Sequence, residues 1–368
     1  MDAQLSVVIA PDSFKGSLGA AEAAEAIARG WALVRPNDRV TLLPQADGGE
    51  GTLAAMAAAV TGAVRHEVGD VTGPDHRPTP GAWLELPGLV GVVELAQCCG
   101  LPLMAAPDPL GATTRGLGEV IRHAMGAGMT SLVVGLGGSA STDGGAGVLA
   151  ALGLELLDAR GAPLADGGGA LTGLDRVERT RLLPPPPGGV VLLADVTAPL
   201  LGPTGAVRAF GPQKGATPGD LRVLEAGLAR LSSIVGGDPT MPGSGAAGGT
   251  AFGLVAAWGA TLESGARRIQ RLTGLHDALD WADVVLTGEG RFDATSLTGK
   301  VVGELLRAAR GRVPVGVIAG QVAEGMGGTA AETWARSLTE LAGSTDAAMA
   351  DPVRHLVEAG RAAAHHFG

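Results

Sequence analysis

Short apolar runs recur along the chain, and each ends abruptly in a polar, Gly-rich turn. Leu5 to Ala10, Val40 to Leu43, Leu132 to Leu136, Val190 to Ala194, Val284 to Thr287 and Pro314 to Gly320 are almost unbroken apolar segments. That is the pattern of strands covered on both faces rather than of strands with one wet side. Helical spacing fills the gaps. Ala20, Ala24, Ile27, Ala28 and Trp31 fall on one face with Glu25 and Arg29 opposite, which predicts a helix after the first strand with Ser17 as its N-cap. Similar patterns predict helices over Leu53 to Val60, Leu117 to Met125, Val301 to Ala309 and Val353 to His366. Alternating strands and helices mean parallel α/β sheets. The rhythm breaks between His66 and Leu95, where short strands follow one another across turns at Gly73-Pro74 and Pro87-Gly88 without intervening helices, which marks entry into a second domain.

One stretch concentrates the polar groups. Ser131 to Gly153 opens as a buried strand, passes through a Gly-rich turn carrying Ser139, Ser141, Thr142 and Asp143, and closes as a small-residue helix. Backbone N–H groups at Gly137 and Gly138, with the Ser139 hydroxyl and a helix N-terminus, suit an anion such as phosphate. Asp143 does not suit passive anion binding; a carboxylate there points to phosphoryl chemistry, working on a metal or on a hydroxyl. Two other readings compete. Gly135, Gly137 and Ala140 fit a loose dinucleotide fingerprint but lack its downstream acidic residue, and a Gly-rich turn also serves simply to pack a helix on a sheet.

Composition narrows the classes. The 368 residues are 46% apolar but 3% aromatic, with no Tyr, so two domains with cores of Ala, Val, Leu and Ile are expected. A net charge of −10 and the lack of any Lys/Arg run argue against nucleic acid or an anionic membrane as partner. No apolar segment approaches the length of a membrane span, so a cytoplasmic protein is expected. Cys98 and Cys99 are adjacent and have no other cysteine to pair with, and are read as reduced core fillers. Among 27 basic residues only three are lysines, Lys15, Lys214 and Lys300, and all three lie in Gly-flanked turns. A compact ammonium in such a turn meets a phosphate at close range in a way that a planar guanidinium does not, although chance placement in a Gly-rich chain gives the same pattern.

Several strands therefore end in loops rich in Gly, Asp, Glu or Lys: PDSFKGS after Ala10, PQADGGEGT after Leu43, the turn after Leu136, Asp195 after Ala194, and GEGRFDATSLTGK after Thr287. In an open α/β sheet such loops meet at the carboxyl ends of the strands. Cations for phosphates and carboxylates for Mg²⁺ and for the acceptor hydroxyl are the inventory of phosphoryl transfer. A P-loop is excluded, since no G-x-x-x-x-G-K-[ST] segment occurs, and Ser139 lacks a nucleophile-elbow setting.

PDSFKGSL at Pro11, ADGGEGT at Ala46, GLGGSASTDGGAG at Gly135, GPQKGATP at Gly211, PGSGAAGG at Pro242 and TGEGRFD with TGK between Thr287 and Lys300 closely resemble, in this order, the blocks of the bacterial glycerate kinase family, type I class. The resemblance implies ATP-dependent phosphorylation of D-glycerate, typically at the 2-hydroxyl, with Mg²⁺. It also implies two α/β domains with the active-site cleft between them: a discontinuous Rossmann-like parallel-sheet domain from residues 1–66 and 282–368, and an inserted mixed α/β domain from 67–281. Under it Lys15, Asp47, Asp143 and Lys300 are the catalytic candidates. Ser13, Gly137, Gly138, Ser139, Lys214, Glu289 and Arg291 are the candidates for substrate and phosphate, and Asp195 and Asp293 for the metal. A monomer or homodimer is expected. Departures from the family pattern at Thr142, Thr197-Ala198, Thr295-Ser296 and Gln321 suggest an actinobacterial-style variant and leave open another small hydroxy acid or sugar acid as acceptor. A nucleotide- or hydroxy-acid-sensing module without turnover is the third alternative.

Overall fold

A computed structural model of the chain describes residues 3–326 and 333–368. The strands in chain order are β1 (Ser6–Ile9), β2 (Arg39–Leu42), β3 (Val64–Thr72), β4 (Pro78–Leu86), β5 (Val90–Glu94), β6 (Ser131–Gly135), β7 (Glu155–Leu157), β8 (Arg176–Glu178), β9 (Val190–Leu193), β10 (Thr261–Glu263), β11 (Val284–Phe292), β12 (Val315–Val322) and β13 (Thr333–Ser337). They divide between two compact units. The first comprises Met1–Asp47, Ala54–Thr61 and Ala266–Gly368; the second comprises Gly48–Leu53 and Gly62–Gly265.

The first unit is a five-stranded sheet in the order β13-β12-β11-β1-β2, with every neighbouring pair parallel. Successive side chains of a strand point to opposite faces, and here both faces are covered. Val7, Ile9 and Leu286 pack with Ala23, Ala24, Ile27, Leu356 and Ala363 from the helices Ala20–Ala32 and Pro352–Phe367. Val8, Ala10 and Val285 pack with Leu275, Leu279, Leu305 and Ala309 on the other side. This is why the strands read as unbroken apolar runs. The chain leaves β1 toward β2 on one side, whereas β11, β12 and β13 extend on the other, so the winding reverses between β1 and β11. In open α/β sheets the ligand crevice lies outside the carboxyl ends of the strands at such a reversal.

The second unit is a mixed sheet ordered β10-β9-β6-β5-β4-β3. Its β5, β6, β9 and β10 are parallel neighbours, while β3, β4 and β5, in the stretch read as successive short strands without helices, form an antiparallel meander. This sheet winds in one direction without reversal, and β7 and β8 form a separate antiparallel pair. Its core joins Trp83, Val93, Leu117, Ile121, Leu132, Val134, Leu149, Leu228 and Phe252. Cys98 and Cys99 are free and buried in it.

Two local expectations change. The first helix takes Gly19, not Ser17, as its N-cap, because the Ser17 hydroxyl donates to Phe14 O at 2.9 Å. The segment GEGRF is strand rather than loop: β11 continues to Phe292, with Glu289 opposite Ala319 and Arg291 opposite Gln321 on β12. Pairing with β12 carries this polar segment past the point where its apolar pattern stops.

Candidate functional site

In the first unit the loops after β1 and β2 and the ends of β11 and β12 enclose a pocket of about 370 Å³. Its polar wall carries Asp12, Ser13, Lys15, Asp47, Glu289, Arg291, Lys300 and Gln321; Phe14, Leu338, Ala348, Met349 and Pro352 give it an apolar side. Each polar residue arrives through a simple local cause. Pro11 stops β1, and the Asp12 N–H then donates to Gly288 O at 2.8 Å, which clips the PDSFKGS loop to β11. Gly16 takes φ +82° and turns that loop back. Six residues expected from the sequence, Ser13, Lys15, Asp47, Glu289, Arg291 and Lys300, thus share one pocket at the reversal point of one sheet.

The charges in this pocket are unevenly balanced. Burial together with the neighbouring Asp47 carboxylate pushes the Asp12 carboxyl up to about 7, with Glu289 adding to the effect and the Ser13 N–H and Lys15 opposing it. Burial also raises Glu289, against the pull of Lys300 and Lys15. Glu289 is 8% exposed, and its Oε1 is buried with no hydrogen-bond partner. Lys300 is the N-cap residue of the helix Val301–Ala309, where a cation opposes the helix dipole. Lys300 Nζ reaches Thr295 Oγ1 at 3.3 Å. A cation placed against a dipole beside an open pocket is a position suited to receiving an anion.

Asp293 lies at the edge of this arrangement and is already engaged. Its Oδ1 accepts from Thr295 N–H (2.9 Å) and Thr295 Oγ1 (2.7 Å), and its Oδ2 pairs with Arg291 Nε at 3.0 Å. These bonds hold its carboxyl below the usual carboxylate range, the Thr295 hydroxyl contributing most. Asp195 belongs to the second unit and accepts from Gly265 N–H at 3.0 Å. Among the described residues no group of three or more His, Cys, Asp or Glu side chains is placed to hold a metal.

The Gly-rich turn after β6 has a different character. Ser141 and Asp143 are 0% exposed, Thr142 1% and Ser139 8%. Asp143 accepts four hydrogen bonds, from Thr114 N (2.9 Å), Thr114 Oγ1 (2.7 Å), Gly145 N (3.1 Å) and Gly147 N (3.1 Å). Thr114 Oγ1 in turn accepts from Val148 N at 3.0 Å. Asp143 therefore fastens the start of the helix Arg115–Gly126 to that of the helix Ala146–Ala151. Burial raises its carboxyl and these bonds offset the rise. Lys214 is 3% exposed; its Nζ donates to Ser139 Oγ at 2.9 Å and to Ser141 O at 2.5 Å. Burial lowers its ammonium to about 8, against the pull of Asp143. At Gly137 an added Cβ would meet Gly49 Cα at 2.4 Å, and the Gly137 N–H donates to Gly48 O, so this glycine is required for close backbone approach. Gly138, at φ +73°, passes its carbonyl to Leu101 N–H. Gly137, Gly138, Ser139, Asp143 and Lys214 thus all bond to neighbouring segments, whereas Ser141 Oγ and Thr142 Oγ1 in the same turn are buried without a hydrogen-bond partner.

Two acidic residues escaped the sequence reading. Asp12 was overshadowed by its lysine neighbour, yet its signal was present: an acid directly after the proline that stops an apolar strand. Glu94, buried at the end of β5, accepts from Gly51 N (3.0 Å) and Leu53 N (2.9 Å) and so anchors the ADGGEGT segment.

A family model described as the glycerate kinase family matches residues 7–367. Glycerate 2-kinase of Escherichia coli (strain K12) is 40% identical over 333 residues, covering 88% of this chain and 87% of its own length. Glycerate kinase of Bacillus subtilis (strain 168) is 40% identical over 336 residues, with 86% and 85% covered. The crystal structure of a Salmonella typhimurium LT2 protein assigned as glycerate kinase 2 aligns with a TM-score of 0.82 at 34% identity, covering 99% of this chain and 98% of that one.

Proposed function

The chain belongs to the glycerate kinase family, and from that premise we propose that it transfers the terminal phosphoryl group of ATP to the 2-hydroxyl of D-glycerate, with Mg²⁺, in the cytoplasm. The observation that carries the reading is the pocket at the β1/β11 reversal, where two lysines and three carboxyl groups line one cavity. Phosphoryl transfer asks the protein for position and electrostatics: cations around the migrating group and a carboxylate at the acceptor hydroxyl. Lys15 and Lys300 supply the first and the Asp12, Asp47 and Glu289 group the second. The partnerless Glu289 Oε1 is an acceptor waiting for a donor, and a hydroxyl of a polyol acid is such a donor. The substrate carboxylate and the phosphates compete for Lys15, Lys300 and Arg291.

Asp195 and Asp293 do not fit as a ready magnesium site, since Asp195 Oδ1 already accepts from Gly265 N–H and the Asp293 oxygens from Thr295 and Arg291. A prebuilt cage is not required, because Mg²⁺ is usually held by substrate phosphates and water with one or two carboxylates. Bound there, it would neutralise phosphate charge.

A second reading, a kinase for another small hydroxy acid or sugar acid, draws on Gln321. This residue lines the pocket and donates to Thr345 Oγ1 at 2.8 Å, where the family pattern has a smaller serine. Assay of ADP release with a panel of hydroxy acids, followed by phosphorus NMR of the product, tests both. Turnover of D-glycerate to 2-phosphoglycerate supports the first reading, and selective turnover of another small hydroxy acid or sugar acid the second. Thermal stabilisation by these ligands with no ADP release would mean a sensing module and overturn both.

A further inference from the structure

Three carboxyl groups face the pocket of the first unit, and they are not equivalent. Asp47 follows β2, one strand away from the reversal; Glu289 is inside β11, away from the loop that the reversal opens. Asp12 alone follows β1 at the reversal itself. Its backbone is pinned by the N–H bond to Gly288 O, and its Oδ1 accepts from Ser13 N–H at 2.6 Å. A short bond of that kind fixes the carboxylate plane. Oδ2 takes no hydrogen bond from the described residues. The remaining acids named from the sequence are otherwise engaged: Asp143 by four donors in the second unit, Asp293 by Thr295 and Arg291.

We infer that Asp12, through Oδ2, takes the proton from the acceptor hydroxyl during phosphoryl transfer. This rests on the phosphotransferase reading above and adds to it the identity of the base. The acceptor oxygen forms its bond to the terminal phosphorus of a nucleoside triphosphate, and the bond from that phosphorus to the bridging oxygen breaks. The bond's electron pair leaves with the nucleoside diphosphate, and the hydroxyl proton passes to Asp12 Oδ2 and then to solvent. An aspartate with the ordinary affinity for protons is a poor acceptor from an alcohol. Burial and the flanking Asp47 and Glu289 make this one a better acceptor, with the Ser13 N–H and Lys15 keeping it ionisable near neutrality, and Lys300 and Arg291 line the same pocket.

The test uses the full chain and the isosteric variant Asp12→Asn, whose side-chain oxygen still accepts from Ser13 N–H. The expected result is a kcat lower by roughly 10²- to 10⁴-fold, a KM for the acceptor within a few-fold of the parent, and loss of the acidic limb of the pH–rate profile. A kcat within threefold of the parent, or a slow variant that keeps the limb in place, overturns the assignment. A second measurement does not depend on turnover. Carboxyl-carbon NMR titration of Asp12 in the parent and in Asp47→Asn should give a midpoint near neutrality that moves to lower pH when the neighbouring charge is removed; an unmoved midpoint overturns the electrostatic coupling of the two acids. If the parent phosphorylates no hydroxy acid, the kinase reading itself fails; if the parent turns over and Asp12→Asn turns over equally, only the assignment of the base fails.

Discussion

Thr114 Oγ1 donates to Asp143 Oδ2 at 2.7 Å while accepting from Val148 N–H, so one hydroxyl links two helix starts through one buried carboxylate. In sequence Asp143 has the look of a catalytic acid in a phosphate loop. In the fold its oxygens accept from four donors and fasten two helix starts. Asp143→Asn puts an amide NH₂ in place of one oxygen, facing donors, and the expected cost is about 3 kcal/mol, as for a buried charged hydrogen-bond network broken on one side. Urea unfolding of parent and variant checks it; equal midpoints would mean that the carboxylate does not hold these helices.

Lys300 is expected to act in the reaction rather than in the fold. It is exposed, it stands against a helix dipole, and the hydrogen bond that its ammonium makes among the described residues, to Thr295 Oγ1, is long. Lys300→Ala should therefore leave the melting temperature nearly unchanged and lower kcat roughly a thousandfold, the scale of losing a cation at a migrating phosphoryl group. A folded Lys300→Ala enzyme turning over at the parental rate would remove this lysine from the scheme.

Asp12 should carry a stability cost that depends on pH. Its folded-state carboxyl is raised to about 7 from the ordinary 3.8, so between these two values the folded chain binds more protons than the unfolded one. Stability therefore falls as pH rises through this window. Asp12→Asn should be the more stable chain at pH 8, by an amount on the order of 2 kcal/mol once partial exposure is allowed for, and should match the parent near pH 4. Melting temperatures of the pair across pH 4 to 8 measure this directly. A gain that does not grow with pH would show that Asp12 is not held under electrostatic strain.

Lys214 predicts the opposite trend. Its ammonium is lowered to about 8 by burial from 10.5, so above pH 8 the unfolded chain binds the extra proton and stability rises with pH until about 10.5. The stability difference between the parent and Lys214→Met should therefore shift in the parent's favour over that window. A flat difference would place the ammonium in contact with solvent, contrary to its burial.

The strands are legible in the sequence because both faces of each sheet are covered, and a strand buried on both sides needs an unbroken apolar run such as Leu5 to Ala10. The charged loops are legible too, because Gly and Pro mark where strands stop. A loop that binds and a loop that packs, however, look alike. Gly137, Ser139 and Asp143 have the residue types of a phosphate cradle, but their partners, Gly48, Lys214 and Thr114, lie between 29 and 89 positions away in the chain. Nothing local announces those pairings. Asp12 was missed for the complementary reason: its altered proton affinity comes from burial and from Asp47 and Glu289, and only the strand order β11-β1-β2 buries it and makes them its neighbours. Likewise the extension of β11 through Glu289 and Arg291 depends on β12 and leaves no trace in the apolar pattern.

Phosphorylation of the hydroxy acid in the pocket at the β1/β11 reversal is the proposition on which the rest depends. A crystal structure of the full chain soaked with D-glycerate puts it to the test. The acid should lie in that pocket, with one hydroxyl within hydrogen-bond distance of Asp12 and the carboxylate or second hydroxyl among Lys15, Lys300 and Glu289. D-glycerate bound instead at the turn after β6, with this pocket holding only water, would refute it.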